Sequence, residues 1–181
     1  MLVSRYLSDT SRERAITKRP FLGRFFITTI AQKRIGIARK GQPGMSYIVD
    51  VSPSEQDIAE IHSALIEFNR PHLEGISHDP LACYYLVDDV KKAGVIADVR
   101  GHWLLLKFFW VAEELRGKGI GAQLLAKLER QAKEMGCRMA LVDTLSFQAK
   151  PFYEKQGYEC QMVLENYPID TSLYYLTKSL S

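Results

Sequence analysis

With 181 residues, 46% of them hydrophobic and 25% charged, the chain fits one soluble globular domain able to bury its own core. Its three cysteines (Cys83, Cys137, Cys160) and four histidines are dispersed, with no C-x-x-C or H-x-x-x-H pair, so the sequence offers neither a disulfide framework nor a zinc signature. No metal is expected, and the cysteine usage suits a reduced, cytoplasmic compartment.

The net charge of +3 conceals an uneven distribution. Residues 1–44 hold ten Lys/Arg against Asp9 and Glu13, a balance of +8, and residues 45–181 come to −5. The chain is therefore expected to divide into a basic N-terminal extension, 1–44, and one domain, 45–181. The longest apolar run of the extension, residues 25–31, is too short to span a bilayer, and no compact signal-peptide pattern is present. Three readings of the extension stay open: a targeting-like segment, an arm for an anionic partner, or residues translated from a start upstream of Met45.

From residue 45 the elements follow in order. Residues 47–51 (Y-I-V-D-V) alternate as a strand. Ser52, Pro53 and Glu55 predict a capping box, with Pro53 at the first helical position and Glu55 at the third, opening a helix whose apolar stripe is Ile58, Ile61, Leu65 and Phe68. Residues 69–80, with two prolines and a glycine, read as loop. Residues 83–87 and 95–99 predict an antiparallel hairpin. Residues 103–111 (W-L-L-L-K-F-F-W-V) are nearly all bulky and apolar, which suits a central strand covered on both faces. A second helix, 120–135, turns Leu124, Leu125, Leu128 and Ala132 inward and stops at Gly136. Residues 139–142 predict a strand parallel to 103–111 through that helical crossover. A short helix at 147–156 and two strands at 158–164 and 172–177 complete one mixed α/β domain.

Between the apolar strand and the second helix stands R-G-K-G-I-G-A, residues 116–122. Glycines at alternate positions (Gly117, Gly119, Gly121) leave backbone N–H groups uncovered, the following helix directs its positive end at them, and Arg116 and Lys118 add charge. This is a phosphate cradle. It is not a P-loop, because Lys118 is followed by Gly119 and not by Ser or Thr. A dinucleotide-binding turn also fits poorly: Ala112 and the four residues after it separate the strand from the glycines, and the motif comes late in the chain.

The turn is followed, one helix and one strand later, by A-K-P-F-Y-E-K-Q-G-Y, residues 149–158. Together the two motifs and the element order resemble the GNAT superfamily of acyl-CoA-dependent N-acetyltransferases over residues 45–181, and the run 143–158 is similar to small bacterial members. That resemblance implies one mixed, mostly antiparallel sheet with a central parallel strand pair flanked by helices. It implies acetyl-CoA as acetyl donor, its pyrophosphate on Arg116, Gly117, Lys118, Gly119, Ile120, Gly121 and Ala122, and its pantetheine arm along the backbone of Phe109, Trp110 and Val111, whose side chains are expected in the core. A backbone N–H near Val111 would polarise the thioester carbonyl. Ser146 takes the place where many relatives hold a cofactor-contacting asparagine.

Tyr153 matches the tyrosine that in many members protonates the departing thiolate, a role open to a phenol that keeps its proton at pH 7. Binding the cofactor sulfur, or packing beside Phe152, stays open for it. The general base is unassigned: the slot where relatives place a glutamate falls on Leu141, and Asp143, Glu113, Glu114, Asp98 and His102 are the alternatives, the last four expected on the solvated surface. The acceptor is expected to be a primary amine of a small molecule or peptide, favoured by the acidic body of the domain. Asn69, Arg70, His72, Glu74 and His78 are its candidate contacts. Nucleic acid is disfavoured as a partner and no membrane span is expected, while a homodimer through the late strands, with Tyr174, Tyr175 and Leu176, stays open. The alternative from another class is a non-catalytic acyl-CoA-binding or nucleic-acid-associated module anchored by its basic arm.

Overall fold

The computed structural model describes residues 35–37 and 47–181, and the expectations for residues 1–44 otherwise lie outside them. The described residues fall into two compact units, one running up to Glu74 and the other from Gly75 onward.

In the first unit, β1 (Ile35–Ile37) and β2 (Tyr47–Val49) form a two-stranded antiparallel sheet. The strand expected at residues 47–51 is thus shorter, and it lies in a sheet of its own instead of joining the main one. It stops where the Asp50 carboxylate accepts a 2.9 Å hydrogen bond from the Ser52 amide, a local turn that competes with strand pairing. Helix α1 (Glu55–Leu73) begins two residues later than expected: Ser54 is the cap, its Oγ accepting from the Asp57 amide at 3.1 Å while the Asp57 carboxylate accepts from the Ser54 amide at 2.9 Å. Both Ser52 and Ser54 have an acid three residues on, and the Ser52 amide is already engaged by Asp50. The helix also runs through Pro71 into residues read as loop. Pro71 sits in the final turn, and the helix stops two residues after it, so the missing donor disturbs little. The stripe Ile58, Ile61, Leu65 and Phe68 is half or more exposed, and no α1 residue is buried. Periodicity fixes which face is apolar, not what covers it.

The second unit is a six-stranded mixed sheet in the order β3-β4-β5-β6-β8-β7. Its strands are β3 (His78–Val87), β4 (Val90–Arg100), β5 (Trp103–Val111), β6 (Met139–Leu145), β7 (Glu159–Leu164) and β8 (Leu173–Ser179). The β3–β4 hairpin closes on two residues, Asp88 and Asp89, both at positive φ, as a tight primed turn requires. All neighbours are antiparallel except the central pair β5–β6, which is parallel through the crossover helix α2 (Ile120–Glu134), as the sequence predicts.

Leu124, Leu125, Leu128 and Ala132 of α2 pack on Val95, Ala97 and Val99 of β4 and on Leu104, Leu106 and Phe109 of β5. The expectation of a β5 covered on both faces is not met: Phe108 is 40% and Trp110 45% exposed on the face away from this core. Buried Glu129 of α2 anchors the far side, accepting from the Tyr158 hydroxyl at 2.9 Å and from Lys178 Nζ at 2.6 Å. No helix among the described residues is long and apolar enough to cross a membrane.

Candidate functional site

The site begins with a parting of the two central strands. β5 and β6 are paired only at Trp103↔Met139, Leu104↔Ala140 and Leu105↔Leu141. Beyond Leu105 the β4–β5 register slips, with Ile96 facing Phe108 and Ala97 facing Leu106, so Lys107 is a bulge residue. A bulge bends and twists its strand. Past it, β5 follows β4 while β6 continues with β8.

The opened edge presents backbone groups. The Ala112 amide donates to the Lys92 carbonyl at 2.9 Å, which makes Ala93↔Val111 a non-hydrogen-bonded pair of the antiparallel ladder. Val111 and, two residues back, Phe109 therefore turn their N–H and C=O groups away from β4, toward the gap. One is taken: Arg116 Nε donates to the Val111 carbonyl at 3.1 Å, folding the turn back on its own strand.

After a 3-10 turn at Glu113–Leu115, Gly117 and Gly119 adopt φ of +72° and +75°. That left-handed region favours glycine, and Gly119 is the N-cap of α2. A Cβ added at either position would meet nothing within 4 Å, so the turn is bare toward open space. Gly121 lies in the first turn of α2 with Phe152 at 3.5 Å from such a Cβ.

The far wall is the connection from β6 to α3 (Lys150–Lys155). Gln148 Oε1 accepts from the Leu145 amide at 2.8 Å and from Thr144 Oγ1 at 3.3 Å, holding this segment in a tight turn. Between the two walls lies a cleft of about 940 Å³, lined by Phe109, Trp110, Val111, Arg116, Gly117, Gly119, Ile120, Gly121 and Ala122 from one side. Leu145, Phe147, Gln148, Ala149, Phe152 and Gln156 line the other, with Leu115 completing the rim.

Nine of the eleven residues expected to hold the cofactor are thereby brought together. Lys118 and Ser146 are not in the lining; Ser146 is exposed, its amide donating to the Ser172 carbonyl at 2.8 Å. The Trp110 side chain was expected in the core, and it lies exposed in the cleft instead. Phe147, Gln148, Phe152 and Gln156 were not singled out from sequence. Only their place after the β6 strand end, opposite the glycine turn, marks them.

Tyr153 is fully buried, one layer behind the lining. Its ring meets Phe152 at 5.2 Å, Tyr158 at 5.6 Å and Phe109 at 6.5 Å between centroids. Its hydroxyl has no hydrogen-bond partner among the described residues. Burial first, and the charge of Asp143 second, raise its pKa above the ordinary 10.0, so the phenol holds its proton throughout the physiological range. A buried hydroxyl left without a partner is costly to the fold.

The base candidates separate. Asp98 was expected at the solvated surface but is 6% exposed, with Lys107 Nζ at 2.8 Å, His78 Nε2 at 3.4 Å and Arg100 Nη2 at 3.9 Å from its Oδ2. Glu114 is paired with Lys92 at 3.5 Å, and His102 Nδ1 lies 3.0 Å from the Gly136 carbonyl. A backbone hydrogen bond is the largest cause of a lowered Glu114 pKa. Of the acceptor candidates, Asn69, Arg70 and His72 lie on α1, Glu74 is its C-cap, and His78 opens β3.

Comparison with known proteins agrees with this geometry. The acetyltransferase (GNAT) family model matches residues 49–158. Blasticidin-S acetyltransferase of Streptomyces morookaense is 35% identical over 88 residues, 48% of this chain. The match spans 65% of that relative, just under two thirds of its length. A crystal structure of an acetyltransferase from Bacillus cereus is 30% identical with a TM-score of 0.66, covering 71% of this chain and 94% of the other. An aminoglycoside 6'-N-acetyltransferase complexed with coenzyme A shares the fold at 16% identity, with a TM-score of 0.52 over 71% of this chain and 82% of its own.

Proposed function

This chain belongs to the acetyltransferase (GNAT) family, and on that premise we propose that it moves an acetyl group from acetyl-CoA to a primary amine by direct transfer in a ternary complex. The observation that carries the reading is the parted β5–β6 pair with the bare glycine turn at its mouth.

The residues fit acetyl-CoA. The turn from Arg116 to Ala122 offers uncovered N–H groups, a helix N-terminus and a guanidinium whose Nε is fixed on Val111, leaving its remaining N–H groups for the pyrophosphate. The N–H and C=O groups that Phe109 and Val111 turn toward the gap suit the amide-bearing pantetheine arm. The same edge supplies the N–H that would polarise the thioester carbonyl as charge develops on its oxygen. The thioester, when bound, supplies an activated acetyl group. Tyr153 contributes the proton that the departing sulfur needs, and the ring packing of Phe152, Tyr158 and Phe109 holds its phenol in one orientation.

The acceptor is a nucleophilic amine, and a blasticidin-S acetyltransferase among the relatives makes antibiotics one class to try. The acidic balance of residues 45–181 favours a cation. The test is thiol release from acetyl-CoA with a panel of nucleoside, aminoglycoside and polyamine acceptors and peptide N-termini. Acetyl-CoA binding with no acetylation of any amine would defeat the proposal.

A further inference from the structure

The face of the sheet away from α2 carries a row of side chains that the core does not use. On β4, Ala93 and Val95 belong to the core, so Gly94 between them and Ile96 beyond lie on the other face. The register sets Gly94 between Tyr84 of β3 and Trp110 of β5, and Ile96 opposite Phe108. Cys83 and Phe109, the chain neighbours of Tyr84 and Trp110, pack with the core, which places Tyr84 and Trp110 on the outer face too. Tyr84 is 42%, Ile96 36%, Phe108 40% and Trp110 45% exposed.

The row is built around the side chain that Gly94 lacks. Tyr84 Cδ1 lies 2.9 Å from where a Cβ on Gly94 would stand, so the phenol ring lies over the glycine, toward Trp110. Lys91 Nζ stands 4.2 Å from the centroid of the same ring and helps to hold it there. Covering a glycine with an aromatic ring accounts for Tyr84 by packing alone. It leaves Trp110, Phe108 and Ile96 facing water, and contiguous exposed apolar surface marks binding sites. Continuity with the cleft points to the occupant. Trp110 also lines that cleft, and Val111, its neighbour, turns its backbone groups toward the gap where the thioester is proposed to lie.

The ledge is flat and aromatic, and the charge held against it, Lys91, is positive. A cation set on Tyr84 would stand beside a like charge, whereas a neutral planar ring would stack on the exposed rings without that repulsion. We infer that Tyr84 and Trp110, flanking Gly94, form an acceptor subsite that takes the neutral aromatic ring of a primary amine whose nitrogen enters the cleft a few bonds away; this rests on the acetyl-transfer reading. The nitrogen bonds to the thioester carbonyl carbon, and the carbon–sulfur bond breaks with its electron pair on sulfur. The ammonium gives up two protons, one ending on sulfur and one in solvent. The sum is an arylalkylammonium and acetyl-CoA giving an arylalkyl acetamide, CoA and one proton.

The test compares 2-phenylethylamine with 2-cyclohexylethylamine, which carry the same primary amine on rings of similar bulk, one flat and aromatic and one puckered and saturated. Wild type should favour the aromatic amine in kcat/KM by ~2–12-fold, the span that aromatic pairing contributes beyond buried area. Tyr84→Leu should bring the ratio close to one, chiefly through KM, with the acetyl-CoA Kd unchanged. Trp110→Leu should do the same, with its acetyl-CoA Kd measured alongside because the Trp110 backbone belongs to the cofactor edge. A wild-type ratio of one, or a ratio that survives Tyr84→Leu, overturns the subsite alone. Self-association that Trp110→Leu abolishes while the ratio stays unchanged overturns it in favour of a contact between copies of the chain. Calorimetry with 2-phenylethylamine in the presence of CoA keeps the two readings apart. Binding weakened by Tyr84→Leu, in a protein that acetylates no amine, would sustain the ring subsite and overturn the transfer.

Discussion

The Tyr158 hydroxyl donates to Glu129 Oε1 across 29 residues of sequence, joining the segment that ends α3 to the crossover helix α2. Lys178 of β8 occupies the other carboxylate oxygen, so one buried acid ties three elements behind Tyr153. Glu129→Ala would leave a buried hydroxyl and a three-quarters buried ammonium without their acceptor. Breaking a buried pair from one side costs about 3–5 kcal/mol. Chemical denaturation should show a loss of that order, and Tyr158→Phe, which removes only one neutral donor, a smaller one.

The same region should limit stability at alkaline pH. Burial raises the pKa of both Tyr158 and Tyr153 above 10.0, with Glu129 and Asp143 respectively as the second cause. A group with a raised folded pKa binds its proton more tightly in the native state. Its contribution is complete below the unfolded value near 10.0 and is lost as pH rises from there toward the folded value. Denaturation midpoints should therefore hold up to about pH 10 and fall above it. The Tyr153→Phe, Tyr158→Phe double variant should lose less over that range than the wild type.

The glycines of the turn are predicted to differ in kind. At Gly117 and Gly119 the positive φ alone penalises alanine, by roughly 1–2 kcal/mol, since no atom lies within 4 Å of the added methyl group. On the proposed reading the methyl groups would stand where the phosphates approach the backbone. Gly119→Ala should thus weaken acetyl-CoA binding by calorimetry while the Tm moves only modestly. Gly121→Ala has ordinary φ and an ordinary contact with Phe152, and it should leave the fold stable.

Much of this was legible in the sequence because the local rules carry it. The alternation of glycines, the inward leucines of α2 and the existence of the β3–β4 hairpin depend on neighbours within a few residues, although its connection was expected to span residues 88–94 and is only Asp88-Asp89. The order of elements, including the parallel β5–β6 pair, followed from one long crossover between two apolar runs. What escaped depends on distant partners. The Lys107 bulge and the fork it opens are set by the β4–β5 register, which no single strand announces. The buried state of Asp98 comes from basic side chains on three strands, Lys107, Arg100 and His78, and a carboxylate in an apolar run looks the same whether solvated or paired. Gln148 shapes the cleft wall through its side-chain amide, a role without motif or spacing.

Arg116 offers a graded test of the phosphate cradle. Its Nε bond to the Val111 carbonyl fixes the guanidinium at the base of the turn. A lysine has the charge without the fork, so it cannot both hold that carbonyl and present parallel donors to a pyrophosphate. Acetyl-CoA affinity should fall in the order wild type, Arg116→Lys, Arg116→Ala. The difference between wild type and Arg116→Ala should narrow as salt is raised, because the site is open to solvent ions. Equal affinity for all three would remove Arg116 from the cradle.

Tyr153→Phe separates catalysis from stability by sign. The substitution removes a buried hydroxyl that has no partner among the described residues and leaves the ring to its contacts with Phe109, Phe152 and Tyr158. Deleting an unsatisfied buried polar atom relieves a desolvation cost of about 1–3 kcal/mol, so the variant should unfold at the wild-type denaturant concentration or above it. Its acetyl-transfer rate should nonetheless fall ~10²–10⁴-fold if the phenol protonates the leaving sulfur, with the acetyl-CoA Kd nearly unchanged. A more stable, slower enzyme is the outcome expected from the proposed role of Tyr153 as proton donor. A variant that is less stable and equally fast would assign Tyr153 to packing.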